Sequence, residues 1–277
     1  GQKSEVSLLP PESHTALAPD PEQIEQVAKQ LCLAKRPMFV VGGGAQHASS
    51  EVLRLAEMLQ APVTFFRSGK GVIDERHYLS QSFPAGHRLW ADADVVLAIG
   101  TRLKYQQMYW GLDKNLKILR IDIDPTEINR ISKPEIGIVA DARTALETLL
   151  PLVESHNIPR PSRRKELNYL RTEFQDAFED KIAPQMGYLR VIREELPEDG
   201  FFVDEVTQVG FASWYAFPTY HPRQFISAGY QGTLGYGYAT ALGVQAAHPD
   251  KKVIAIAGDG GFLFNVQELA TAVQYGL

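Results

Sequence analysis

Toward the C-terminal side of this 277-residue chain, the apolar run Val253-Ile-Ala-Ile-Ala257 ends in Gly258-Asp259-Gly260-Gly261, and a helix-like stretch follows. Ligands of open parallel sheets bind in the crevice outside the carboxyl ends of the strands. Glycines at such an end let backbone N–H groups approach phosphate oxygens without a Cβ in the way. A carboxylate among them is a hard oxygen ligand for Mg²⁺ or Ca²⁺ bridging a diphosphate, which makes Asp259 the candidate metal ligand. Asn265, with Glu268 three positions on, has nearly the spacing of a capping box, and the helix it starts would aim its positive end at the loop. The plainer alternative is a glycine-rich turn in which Asp259 caps backbone amides.

Two further patterns carry chemistry. Gly229-Tyr-Gln-Gly232-Thr-Leu-Gly235-Tyr-Gly237, continued by Ala239, Ala241 and Gly243, lets a helix pack tightly on a sheet. Gly42-Gly43-Gly44 follows the apolar Met38–Val41 and suits an approaching phosphate or ribose, though it is not the dinucleotide Gly-x-Gly-x-x-Gly. Arg102 lies two residues after Gly100, and Asp122 and Asp141 stand at two strand ends. An Asp before a helix also simply caps it, as Asp141 would before Ala142. The seven histidines show no metal-ligand spacing, and the lone Cys32 reads as a half-buried core thiol.

Positioning these residues requires strands that alternate with helices. Apolar strands are expected at 38–41, 62–66, 94–99, 116–124 and 136–139, and again at 201–203, 224–227 and 252–257, with helical periodicity between them. Continuous apolar strands of this kind form parallel sheets covered on both faces. The fold class is therefore α/β, with two doubly wound parallel-sheet domains. Residues 1–20 read as a linker or arm, 21–155 as a central Rossmann-like domain, 156–184 as a linker with a charged helix, and 185–277 as the second domain. That second domain is expected to be incomplete in this chain. It has three strands, and the last is the most apolar, as for an interior strand, so a longer polypeptide or another chain would complete it.

The net charge of −5, with 22% charged residues and no Lys/Arg block, gives no nucleic-acid footprint. The small basic cluster at 160–165 reads as solvated linker. One cysteine excludes an internal disulfide, no apolar run reaches membrane-spanning length, and the N-terminal residues hold no signal-peptide core. A cytoplasmic protein is expected.

Residues 186–277 resemble the diphosphate-binding domain of thiamine-diphosphate enzymes, most specifically in "GTLGYGYATALG" and "AGDGGFLFNVQELATA". Residues 21–155 resemble the central domain of the acetolactate-synthase-like branch. The resemblance implies thiamine diphosphate and Mg²⁺ as cofactors, with Asp259 on the metal and Gly258, Gly260 and Gly261 holding the diphosphate. It implies a diphosphate contact for Gln208, although the usual histidine beside it is Val209. Gly232 and Thr233 would lie at the aminopyrimidine, and Leu234 would be the apolar wedge beneath the bent cofactor. The family motif closes on an Asn beyond the last residue here, so a second metal ligand is expected outside this chain. So is the activating glutamate, which the family draws from the N-terminal domain of a neighbouring subunit; Glu205 is expected to line the site or the surface. Gly42, Gly43, Gly44, Arg102, Asp122 and Asp141 match nucleotide-contacting positions, for FAD in the synthase branch or ADP in others, but Lys104-Tyr-Gln replaces the usual acidic residues after Arg102. The implied activity is decarboxylation of a 2-keto acid and ligation to a second carbonyl, a lyase or transferase reaction, in a homo-oligomeric dimer or tetramer, with this chain inactive alone. A 2-keto acid decarboxylase, lyase or oxidase of the same family is the first alternative. A non-catalytic nucleotide-binding or scaffold fragment is the second.

Overall fold

The computed structural model describes residues 16–229 and 231–277. The first helix, α1 (Pro21–Leu33), starts where the sequence asks it to. The Asp20 carboxylate accepts the N–H groups of Glu22 and Gln23, and Pro21 takes the first helical position, where no N–H is needed. Ile24, Val27, Ala28 and Leu31 form its buried stripe. Then come β1 (Pro37–Val41), α2 (Ser49–Leu59), β2 (Val63–Phe65), β3 (Ser80–Gln81), α3 (Phe83–Trp90), β4 (Val95–Ile99), β5 (Lys117–Asp122), α4 (Pro125–Ile128), β6 (Ile136–Val139) and α5 (Ala142–His156). The six strands form one parallel sheet in the order β3-β2-β1-β4-β5-β6. Chain direction across the sheet reverses between β1 and β4, so the loops after these two strands diverge and leave a crevice.

Helices α6 (Arg164–Lys181) and α7 (Ala183–Glu195) lead to the second unit: β7 (Phe201–Asp204), α8 (Gln208–Ala216), β8 (Phe225–Ser227), α9 (Tyr236–Ala247), β9 (Val253–Ile256), α10 (Asp259–Leu263) and α11 (Leu269–Tyr275). Its sheet is parallel, with the order β8-β7-β9. The core of the first unit is large. That of the second is a cluster around Leu189, Leu196, Phe202, Phe217 and Phe225.

Among the described residues β9 pairs only with β7, and all four of its residues stay partly exposed. One expectation needs correction. The basic cluster is not merely solvated. The Arg160 guanidinium donates to the carbonyls of Leu31, Cys32 and Ala34, closing the C-terminal end of α1. Helix α3, despite its internal Pro and Gly, buries Phe83, Ala85, Gly86, Leu89 and Trp90.

The segment 66–82 joins the two units. Lys70 is fully buried, its ammonium 3.0 Å from Glu75 and 5.3 Å from the ring centres of both Phe65 and Phe225. Gly71 holds φ +76°, and a Cβ there would lie 2.2 Å from the His221 carbonyl oxygen. Arg76 reaches across to Glu198. No helix among the described residues is long and apolar enough to cross a membrane.

Candidate functional site

In the second unit β7 is central, with β8 on one side and β9 on the other, so the crevice opens between the carboxyl ends of β7 and β9. Three loops meet there. The first is 205–208, directly after β7. The second is 229–235, which needs glycine: Gly229, Gly232 and Gly235 hold φ of +71°, +61° and +83°. The third is Gly258-Asp259-Gly260-Gly261, after β9.

Contacts among the loops are close. Gly258 lies against the Val206 carbonyl and the Thr207 methyl, and Gly232 against the Val206 side chain. The Asn265 amide donates to the Gly235 carbonyl. That corrects the expected capping box: Asn265 does not cap a helix, and Glu268 accepts instead from the Thr271 hydroxyl at 2.6 Å.

Asp259 is exposed, and its carboxylate bonds to no described residue; Gly258, the N-cap of α10, supplies no side-chain cap. The simple capping reading of Asp259 is thus not what the structure adopts. Gly260 is exposed, with open space where a Cβ would stand. Thr233 and Leu234 are also exposed at the mouth of the loop. Gln208 opens α8, and its side-chain oxygen accepts from Gln185 at 2.9 Å.

The residue that composition and spacing did not single out for this role is Glu205. It is fully buried, and its carboxylate accepts the N–H groups of Gly235 at 2.8 Å and Gly237 at 2.7 Å. Beside it, Asp204 is also buried and accepts from the Trp214 indole; burial pushes its carboxyl above the usual range, against the pull of Trp214.

The loops after β1 and β4 line a cleft of about 880 Å³ that reaches Phe225, Ile226 and Ser227 of the second unit. Phe66, Phe83, Tyr105 and Tyr109 supply aromatic wall. An adjoining cavity of about 270 Å³ holds Arg102, Asp122, Asp141 and His47. The nucleotide candidates do lie together, but each has other employment. The amides of Gly42 and Gly44 donate to the carbonyls of Ile99 and Gly100, and these loops touch so closely that a Cβ at Gly42 would lie 2.4 Å from the Gly100 oxygen. Gly43 faces Ser68. Arg102 pairs with Glu127 at 3.4 Å. Asp122 accepts the Asp124 N–H and faces Arg120. Asp141 caps α5 through the Thr144 N–H and bonds His47 at 2.8 Å. Burial works against its ionisation, but these partners prevail and hold it below the usual carboxylate range.

Two family descriptions match this arrangement: the thiamine pyrophosphate enzyme central domain over residues 24–149, and the C-terminal TPP-binding domain over 205–277. The chain belongs to the thiamine pyrophosphate enzyme family. Within that family it is similar to the acetolactate synthase isozyme 1 large subunit of Escherichia coli (31% identical, over 98% of this chain and 50% of that protein). It is also similar to a probable acetolactate synthase large subunit of Methanocaldococcus jannaschii (36%, over 93% and 47%) and to a probable 2-ketoarginine decarboxylase of Pseudomonas aeruginosa (33%, over 92% and 47%). The chain spans about half the length of the curated relatives it matches. The family's TPP-binding match begins at Glu205, so it takes in all three loops of the crevice.

Proposed function

We propose that this chain supplies the diphosphate side of the cofactor site of a thiamine-diphosphate- and Mg²⁺-dependent enzyme. That enzyme would decarboxylate a 2-keto acid and ligate the product to a second carbonyl, as an acetolactate synthase does. The observation that carries this is the exposed, uncapped Asp259 set among glycines where β7 and β9 end.

The residues present fit the group. Asp259 offers free carboxylate oxygens for Mg²⁺, and the open flank of Gly260 leaves its amide accessible to a diphosphate. Gly258 and Gly261 shape that turn. Thr233 and Gly232 would meet the aminopyrimidine, with Leu234, already exposed, packing beneath it. Gln208 would donate to the diphosphate through its side-chain NH₂, while its oxygen keeps accepting from Gln185. When bound, thiamine diphosphate supplies an electron sink for the carbanion left by decarboxylation. The chain's own task is to bind, orient and keep the metal on the diphosphate. The activating glutamate would come from a different part of the enzyme, so we expect a dimer or tetramer and no turnover by these residues alone. We place the protein in the cytoplasm.

A second nucleotide in the central cleft is less well served. The amides of Gly42 and Gly44 are already spent on main-chain carbonyls, which weighs against a phosphate cradle there. FAD or ADP would rest on Arg102 and the aromatic wall instead, and no step of the reaction is derived through it. Absorbance near about 450 nm in the purified protein would report a flavin.

The similarity to a 2-ketoarginine decarboxylase favours one second reading, decarboxylation without ligation. Assay of the full-length protein with thiamine diphosphate, Mg²⁺ and pyruvate tests both. Acetolactate formation supports the first reading, and release of CO₂ and aldehyde the second. A folded protein that binds no cofactor contradicts both and leaves a scaffold.

A further inference from the structure

We propose that Glu205 is a positioning residue that fixes the two cofactor loops relative to each other. The inference rests on the cofactor placement argued above and extends it to a buried side chain whose carboxylate is spent on the protein's own amides. Glu205 follows the central strand β7 directly. Its two carboxylate oxygens take different amides: one receives Gly235 at the end of the 229–235 loop, the other Gly237 in the first turn of α9. The same carboxylate lies against Gly261, where a Cβ would come within 1.9 Å of Oε1. One side chain thus holds both the loop expected at the pyrimidine and the turn expected at the diphosphate.

The geometry has two chemical consequences. The amides of Gly235 and Gly237, at the start of α9, are spent on Glu205, so these two are closed to an anion, and the diphosphate is assigned to the turn after β9. The carboxylate also needs both oxygens as acceptors and the full length of a glutamate. Glutamine keeps the length but sets an NH₂ group against one of the two N–H donors, which leaves a buried donor unmet.

The test compares Glu205→Gln and Gly237→Ala with the wild-type holoenzyme. Thiamine diphosphate is titrated at saturating Mg²⁺ by tryptophan fluorescence, and folding is followed by circular dichroism. We expect the Kd of Glu205→Gln to rise about tenfold or more, the fold-change of one unmet buried hydrogen bond. The KM for the cofactor should rise more than kcat falls, and the amides of 229–237 should exchange faster with solvent. Gly237→Ala keeps the test decisive if the first variant folds poorly. Alanine is the better helix former, yet its methyl would meet Glu205 Oε2 at 2.9 Å, so cofactor binding should weaken while helix content holds. Variants that bind within twofold of a binding wild type overturn the positioning role, as does a loss of binding that tracks only lost folded protein. A wild type that binds no cofactor defeats the functional reading itself, and the positioning role falls with it.

Discussion

Gly261 lies directly on the carboxylate of Glu205, so closely that a methyl group at position 261 would come to 1.9 Å from Oε1. The third glycine of the Gly-Asp-Gly-Gly turn is therefore required by the protein's own interior, whatever approaches from the other side. Gly261→Ala should destabilise the second unit by about 1–3 kcal/mol, the usual cost of overpacking, and should loosen the crevice. Gly260→Ala adds a methyl where nothing lies within 4 Å and should leave unfolding unchanged. Denaturant titration of the two variants side by side checks the contrast.

Lys70 and Glu75 form a buried pair where the two units meet. Burial pushes the Glu75 carboxyl above its usual range, and Lys70 works against that. Lys70→Met leaves Glu75 without its cation and should cost about 3–5 kcal/mol at pH 7. Lys70→Met combined with Glu75→Leu should recover much of that loss, because no unpaired charge remains buried. Equal stability for the single and double variants, measured by urea unfolding, would show that the pair is not coupled.

Glu166, in the first turn of α6, bonds Arg163 and Arg36. The Arg163 hydrogen bond is the main cause holding its carboxyl at about 2, against some burial and with help from Arg36. The folded value lies below the unfolded one near 4.5, so the group stabilises the fold above pH 4.5 and loses that contribution as pH falls toward about 2. The side chain is 41% exposed, and screening by solvent limits the effect to at most about 1 kcal/mol. Thermal unfolding of Glu166→Gln should lie below wild type at pH 7 and converge with it as pH falls through that window.

Much of the fold was legible because the strands are apolar runs that stop at Gly or Asp, and a parallel sheet makes such runs unavoidable. Val95–Ile99 and Val253–Ile256 read the same way in sequence, yet among the described residues one is paired on both sides and fully buried and the other is paired on one side and partly exposed. Strand order is a property of the crossovers, not of the strand. Asp259 was legible because glycines flank it. Glu205 was not, since Val-Asp-Glu-Val carries no spacing signal and its partners lie 30 and 32 residues away. The Gly42–Gly44 run looked like a phosphate cradle because local sequence cannot show that Ile99 and Gly100, at the end of β4, already claim two of its amides.

The central claim is that Asp259 holds a divalent cation on a diphosphate. Calorimetric titration of the full-length protein with thiamine diphosphate, with and without Mg²⁺, tests it most directly against Asp259→Ala. The account predicts saturable, Mg²⁺-dependent binding by the wild type. It predicts loss of that binding in the variant, with an unchanged unfolding temperature without cofactor, because the carboxylate bonds no described residue. Undiminished Mg²⁺-dependent affinity in Asp259→Ala would contradict it.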